Sequence, residues 1–580
     1  MNGLSARARH PPGGSGSWTA ALVCFGFSGA SALLFQTAWT QQLSLVFGAS
    51  ELAVISVLAA SMASLAVGSQ LGGRWASRAR RPLLVYGVVE AGIGIYALAL
   101  PAILGAADWA QRHFFTSDGF DLDAGLGART AFQLAGATLL LMPPTLLMGA
   151  SLPLLVQSAV HRQSLLGFRV GALYATNTLG AALGALLTGY VLLPLLGLGH
   201  VLYVGVALNL GVACLALLVA RREAPSAALV PDTALAAKAA NSMAASANPA
   251  SPRPRWPLAL AALTGALALS LELLWTRLLT FALGGSIYSF ATMLATFLLA
   301  IALGTVLATR FAGSAAQAAR ALAAFLLLAG VSCPLALAGA DRLPRVLEAV
   351  AGWGDPLLLA TLFGAALMLP GALAFGACFP LAVRAASREA RSAAAATGAV
   401  LAANTAGAVV GVAATGLYLL PRFGILGLTK VVAALALSAA LGLALALRPR
   451  RPASSIVAGI AIVAMATLFL APPATPWNLL RMSPTAVLAA RERAARSPSD
   501  RPERPRFSAF GPVVFAGVGR SATVLLHHEG LEWRMTSNGL PESAVQPPGG
   551  RVARYAVARW LTLLPCALRP EIARLLVIGL

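Results

Sequence analysis

Asn177-Thr-Leu-Gly-Ala-Ala-Leu-Gly184 and Asn404-Thr-Ala-Gly-Ala-Val-Val-Gly411 are one eight-residue element written twice in the same chain, 227 residues apart. Working outward, residues 143–197 align without gaps on 370–424 with 22 identities in 55. Residues 29–74 align on 265–310, offset 236, with 15 identities in 46. Matched landmarks include Trp39/Trp275, Gly68/Gly304, Arg74/Arg310, Pro143/Pro370 and Gly149/Gly376. The nine-residue change of offset is expected in the loop between the third and fourth apolar segments. Self-similarity on this scale makes the repeat the organising unit of the fold.

The composition says what solvent the repeat lives in. Of 580 residues, 58% are hydrophobic and 11% charged, against about 25% charged in soluble proteins; the mean hydropathy is +0.78. Apolar segments long enough to cross a bilayer, at about 20 residues each, run near 18–35, 52–72, 82–104, 131–158, 170–193 and 200–220. Six more run near 257–280, 287–309, 319–340, 357–383, 397–420 and 425–447. Six spans is an even number, so the halves share one orientation, a parallel 6+6 repeat of the kind found in secondary transporters. The expected organisation is a polar tail (1–17), membrane repeat 1 (18–220), a linker (221–256) and membrane repeat 2 (257–447). A short segment (455–471) is a thirteenth span or an interfacial helix, and a segment of different texture (472–580) follows.

Basic residues orient the spans. With the amino terminus inside, 21 Lys/Arg fall on the cytoplasmic side of the first twelve spans, seven on the other, and 14 follow residue 471. The expectation is a multi-pass plasma-membrane protein with a cytoplasmic amino terminus and the lipid bilayer as its first partner. The side of the carboxyl-terminal segment stays open. A crossing at 455–471 puts it outside, whereas the arginines that open it (Arg481, Arg491, Arg493, Arg496) argue for inside. The formal charge of +22 does not indicate a nucleic-acid partner, because no basic stripe carries interleaved aromatics. Five scattered cysteines and six histidines give no metal-ligand spacing. Asp118, Asp121 and Asp123 hint at cation binding, but a solvated acidic loop is the stronger expectation.

Polar residues inside spans are the candidate functional positions. They are Glu90 in the third span, Glu272 and Arg277 in the seventh, and the repeat pair Asn177 and Asn404. Glycines four apart let helices approach closely and an Asn can bond across the contact, so helix packing is the first expectation for that pair and substrate contact the second. Glu272 and Arg277 are replaced together by Gln36 and Gln41 in the other repeat, which suggests a shared environment.

Gly68 to Arg81 (GSQLGGRWASRARR) resembles the second-to-third-span loop motif of the major facilitator superfamily. Beyond Pro472, Ser521–His528 and Leu531–Asn538 read as strands of a hairpin turning at Glu529-Gly530, with a turn at Gly539-Leu540-Pro541. Residues 551–564 have helical spacing, and Arg574–Leu580 (RLLVIGL) reads as a buried strand ending near Gly579. With the Asn538-Gly-Leu-Pro-Glu-Ser543 element, this order resembles the start of the spermidine synthase (polyamine aminopropyltransferase) fold. The whole resembles bacterial fusions of a major-facilitator membrane part to a spermidine-synthase-like domain. The resemblance implies an all-α membrane part followed by an incomplete α/β domain: a β-hairpin region and a first Rossmann strand, cut at Leu580. It also implies aminopropyl transfer from decarboxylated S-adenosylmethionine, as co-substrate, to a diamine. The backbone at Gly579 would approach that adenosyl ligand. The family's catalytic residues would fall after Leu580, so no catalytic residue and no cofactor bound by this chain alone is expected. The alternative is a secondary transporter or exporter of polyamines or other small amino compounds; a membrane scaffold for a soluble partner is a third reading.

Overall fold

The computed structural model describes residues 15–47, 51–115, 122–160, 165–222, 255–285, 287–350, 353–387, 393–447, 452–494, 507, 511–519, 522–530 and 532–545. Asp118 and Asp121, the helical pattern at 551–564 and the strand ending at Gly579 lie outside the described residues. So does the side chain of Asp123.

The first group of helices is α1 (Ser15–Phe47), α2 (Glu51–Ala76), α3 (Pro82–Phe115), α4 (Leu122–Ala159), α5 (Leu166–Leu187) and α6 (Leu193–Arg222). The second is α7 (Trp256–Leu283), α8 (Ile287–Thr309), α9 (Ala315–Ala340), the short α10 (Leu343–Ala349), α11 (Pro356–Ala386), α12 (Ala393–Ala414) and α13 (Leu420–Ala446). Then come α14 (Pro452–Leu470), α15 (Trp477–Leu480) and α16 (Pro484–Ala494). Among the described residues, ten apolar helical stretches are long enough to cross a membrane. Two of them, Leu166–Arg221 at 56 residues and Ala393–Ala446 at 54, are far too long for one crossing of a hydrocarbon core about 30 Å thick. Each is a pair of helices. A π-helical turn (Thr188–Leu192, Thr415–Leu419) follows the first member. The break then comes at Gly197 (φ 72°) and Gly424 (φ 65°), which stand at matching positions of the repeat. Only glycine takes such a backbone without strain.

The sequence repeat is a repeat of contacts. A Cβ on Gly29 would run into the backbone of Asn177, and one on Gly265 into the backbone of Asn404. Gly180 lies against Gly26, and Gly407 against Ala262. Gly94 meets Leu210, and Gly330 meets Leu437. The 236-residue offset therefore persists through α3, and the offset changes between α3 and α4. With no hydrophobic drive between helices in lipid, close approach of small residues is what holds such crossings. The two groups meet where α2 packs on α12 and α5 on α8. Gly73 abuts Ala394 and Gly398 there, and Gly167 abuts Ala312.

The carboxyl-terminal segment forms a four-stranded antiparallel meander, β1 (Val513–Val518), β2 (Thr523–Glu529), β3 (Glu532–Ser537) and β4 (Leu540–Val545), in the order β1-β2-β3-β4. The hairpin pairing is that of β2 and β3, with Glu529 opposite Glu532. The next turn differs from the sequence reading. It is made by Asn538 (φ 51°) and Gly539 (φ 80°), the left-handed pair a tight hairpin needs. Leu540 and Pro541 already belong to β4, an edge strand, where a proline is tolerated.

This segment sits on one face of the helical body. Val513 and Val518 pack against the core of the second group. The Arg277 guanidinium donates to the carbonyl of Gly519 at 3.3 Å. Asp341 accepts from the Asn478 amide nitrogen and side chain, both at 2.7 Å. Glu348 accepts from the Phe507 amide, and Arg491 pairs with Asp355 at 2.8 Å. These anchors lie at the carboxyl end of α7 and along residues 341–355, the end of the bundle opposite Arg74–Arg81, Arg310 and Arg384. Helix α14 carries the chain from one end to the other.

Candidate functional site

Two carboxylates stand inside the helical body, and their surroundings differ. Glu90 on α3 is fully buried. Its Oε1 accepts from the Ser28 hydroxyl of α1 at 2.8 Å and from the Ser151 hydroxyl of α4 at 3.1 Å. Its Oε2 accepts from the Asn209 side-chain amide of α6 at 2.8 Å, and the same amide reaches the Glu90 carbonyl at 3.1 Å. The Ser31 hydroxyl bonds Asn209 Oδ1 and so fixes which way that amide points. Four helices thus converge on one carboxylate through hydroxyls and an amide, with no guanidinium or ammonium partner among the described residues.

Glu272 is half-buried on α7, and its side chain makes no hydrogen bond or ion pair among the described residues. One side of α7 carries Leu267, Leu271, Leu274, Trp275 and Leu278, all buried in the core of the second group. The opposite side carries Leu269, Glu272, Leu273, Thr276 and Thr280, all half-buried. That side is bordered by α12, which crosses at Ala262 and Ala266, and by α8, whose Met293 sulfur receives the Thr276 hydroxyl at 3.8 Å. Helices α12 and α8 both contact the first group, as does α11 through Phe379 on Tyr174. Glu272 therefore lies on the side of α7 turned toward the first group. On the matching side of α1, Leu33, one turn before Gln36, packs against the cluster that joins Ala185 of α5 to the core of the second group.

The remaining candidates separate. The side-chain amide of Asn177 donates to the Phe25 carbonyl at 3.0 Å, and that of Asn404 to the Ala261 carbonyl at 3.0 Å. Each closes a glycine crossing, α1 with α5 and α7 with α12. Arg277 turns away from Glu272 to the turn at Gly519, so the two charges of the seventh span do not share one environment. Gly579 lies outside the described residues.

Sequence reasoning missed Ser28, Ser31, Ser151 and Asn209, which lie on three helices other than α3. A usable signal existed in the repeat. The counterparts of Ser31, Ser151 and Asn209 are Leu267, Cys378 and Ala436, so three polar positions are confined to one half. The described residues hold no cluster of three metal-ligating side chains. His527 is buried between Gly511 and Thr536, and His528 packs on Trp533 with ring centroids 4.8 Å apart.

No protein-family model and no curated protein sequence matches the chain. Among solved structures, a bacterial homologue of the iron transporter ferroportin in an outward-facing state is similar over 75% of this chain and all of its own, at 15% identity and TM-score 0.48. The nucleoside transporter NupG is similar over 75% of this chain and 100% of its own, at 13% identity and TM-score 0.41. The proton:xylose symporter XylE of the major facilitator superfamily covers 80% of this chain and 98% of its own, at 14% identity and TM-score 0.41.

Proposed function

We propose that the chain is a secondary transporter of the major-facilitator type for small amino compounds, polyamines among them. The observation that carries this reading is Glu272: a carboxylate with no hydrogen-bond or ion-pair partner among the described residues, on the side of α7 that faces the other helical group. An unpaired carboxylate in a membrane interior is costly, and a cationic substrate would relieve that cost by supplying the missing charge. Aliphatic neighbours such as Leu269 and Leu273 suit a methylene chain, and Thr276 offers a hydroxyl. By the distribution of arginines, the face bearing the four-stranded sheet is extracytoplasmic and the amino terminus cytoplasmic, in a plasma membrane. The test is uptake of a radiolabelled diamine into liposomes containing the full chain. Uptake is expected in the parent protein and is expected to fall at least tenfold in Glu272→Gln; absence of amine uptake by the parent protein would refute the reading.

A second reading is favoured by one observation: a four-stranded meander occupies 513–545, where the resemblance to the aminopropyltransferases calls for a β-hairpin region. Its adenosyl co-substrate, decarboxylated S-adenosylmethionine, is cytosolic, whereas the sheet rides the face away from the arginine-rich loops. The transporter reading meets no such obstacle. Incubating the full chain with that donor and a diamine, and assaying for the aminopropylated product, separates the two readings.

A further inference from the structure

We propose that Glu90 and the groups around it form a reversible proton-binding site within the first helical group, separate from Glu272. The carboxylate is 0% exposed, and its donors are the hydroxyls of Ser28 and Ser151 and the amide of Asn209. The titratable groups facing it are Tyr86, one turn earlier on α3, and Cys24 on α1; α4 and α6 present only Ser151 and Asn209. None of these brings a positive charge. A lone buried anion is therefore held by dipoles alone, and a proton is the smallest ion that can neutralise it. The same groups suit the protonated form. A hydroxyl both donates and accepts, so either serine can turn to receive the carboxyl proton. The buried Tyr86 hydroxyl stands beside Ser28 and the Glu90 carboxylate, with no partner at full bonding geometry among the described residues, and adds a further hydroxyl to the cluster. Both protonation states can thus be satisfied without moving a helix.

The helix packing does not need these polar groups. At the matching positions of the second group stand Thr264 for Ser28, Leu267 for Ser31, Leu322 for Tyr86, Leu326 for Glu90, Cys378 for Ser151 and Ala436 for Asn209. All but Thr264 belong to its hydrophobic core. The same helices pack there through carbon and sulfur, so the carboxylate of the first group serves something other than packing.

Infrared difference spectra of the full chain in lipid nanodiscs, titrated from acid to alkaline pH, test the site without reference to transport. The expected result is a protonated-carboxyl band that Glu90→Gln removes and Glu272→Gln leaves in place. A Glu90→Gln spectrum superimposable on that of the parent protein overturns the proposal. Ser151→Ala and Asn209→Leu keep Glu90 but remove a donor each. They should displace the midpoint of that band, and a midpoint unmoved in both also overturns it. Because the readout is spectroscopic, failure of the site and failure of the transport reading remain distinguishable.

Discussion

The crossings of α1 with α5 and of α7 with α12 make a quantitative prediction about glycine. A Cβ at Gly184 would stand 2.6 Å from the Ala30 carbonyl oxygen and 2.9 Å from its Cα; one at Gly411 would stand 2.6 Å from the Ala266 Cα. Comfortable carbon contacts are about 3.5–4.0 Å, and the obstacles are backbone atoms that no rotamer change can move. Gly184→Ala or Gly411→Ala must therefore part the helices by roughly 0.5–1 Å, in an interior packed as densely as a crystal. Overpacking of this kind costs about 1–3 kcal/mol. The Asn177 and Asn404 bonds across the same crossings, at 3.0 Å, are stretched with it, and each is worth about 0.6 kcal/mol in a membrane protein. The expected loss is thus about 1.5–3.5 kcal/mol per substitution, similar for the two because the contact recurs. Apart from their own helix backbone, Gly442 and Gly459 have no described heavy atom within 4 Å of the new carbon. Alanine there should be neutral or stabilising by up to about 1 kcal/mol, from helix propensity. Unfolding free energies from SDS titration in mixed micelles measure all four. If Gly184→Ala and Gly411→Ala cost no more than Gly442→Ala, the repeat is not held by backbone approach and the reasoning fails.

Two further predictions concern the carboxyl-terminal segment. Asp341→Ala removes the acceptor of both Asn478 bonds, so trypsin should cut at Arg481 or Arg491 several times faster than in the parent protein, with the helical body staying intact; unchanged cleavage would show that the anchor is dispensable. Phe515 is 58% exposed on β1. In a background without the five native cysteines, Phe515→Cys should react with a membrane-impermeant maleimide in intact cells. Labelling that requires permeabilised cells would reverse the proposed orientation.

The arginines after residue 471 do not weigh against the proposed orientation, for a physical reason. Basic residues near spans report the cytoplasmic side because short loops resist export; a longer segment crosses regardless of its charge. Arg491 serves a local purpose, pairing with Asp355, while Asp341 and Glu348 hold the backbone at Asn478 and Phe507. The turn at Asn538-Gly539 was misplaced by one residue because Pro541, a usual turn signal, here occupies an edge strand.

By itself the sequence determined the solvent, the apolar segments and the twofold repeat, because span length and internal identity are properties of the linear chain. It also determined that Asn177 and Asn404 belong with their glycines, since spacings of three and four residues lie on one helical face whatever the surroundings. Tertiary structure alone decided how the two carboxylates differ. Ser28, Ser151 and Asn209 come from α1, α4 and α6, 61 to 119 residues from Glu90 in sequence, and no local pattern announces that they converge. Glu272 acquires its meaning from what does not reach it. That no described side chain bonds it becomes visible only once the helices are packed.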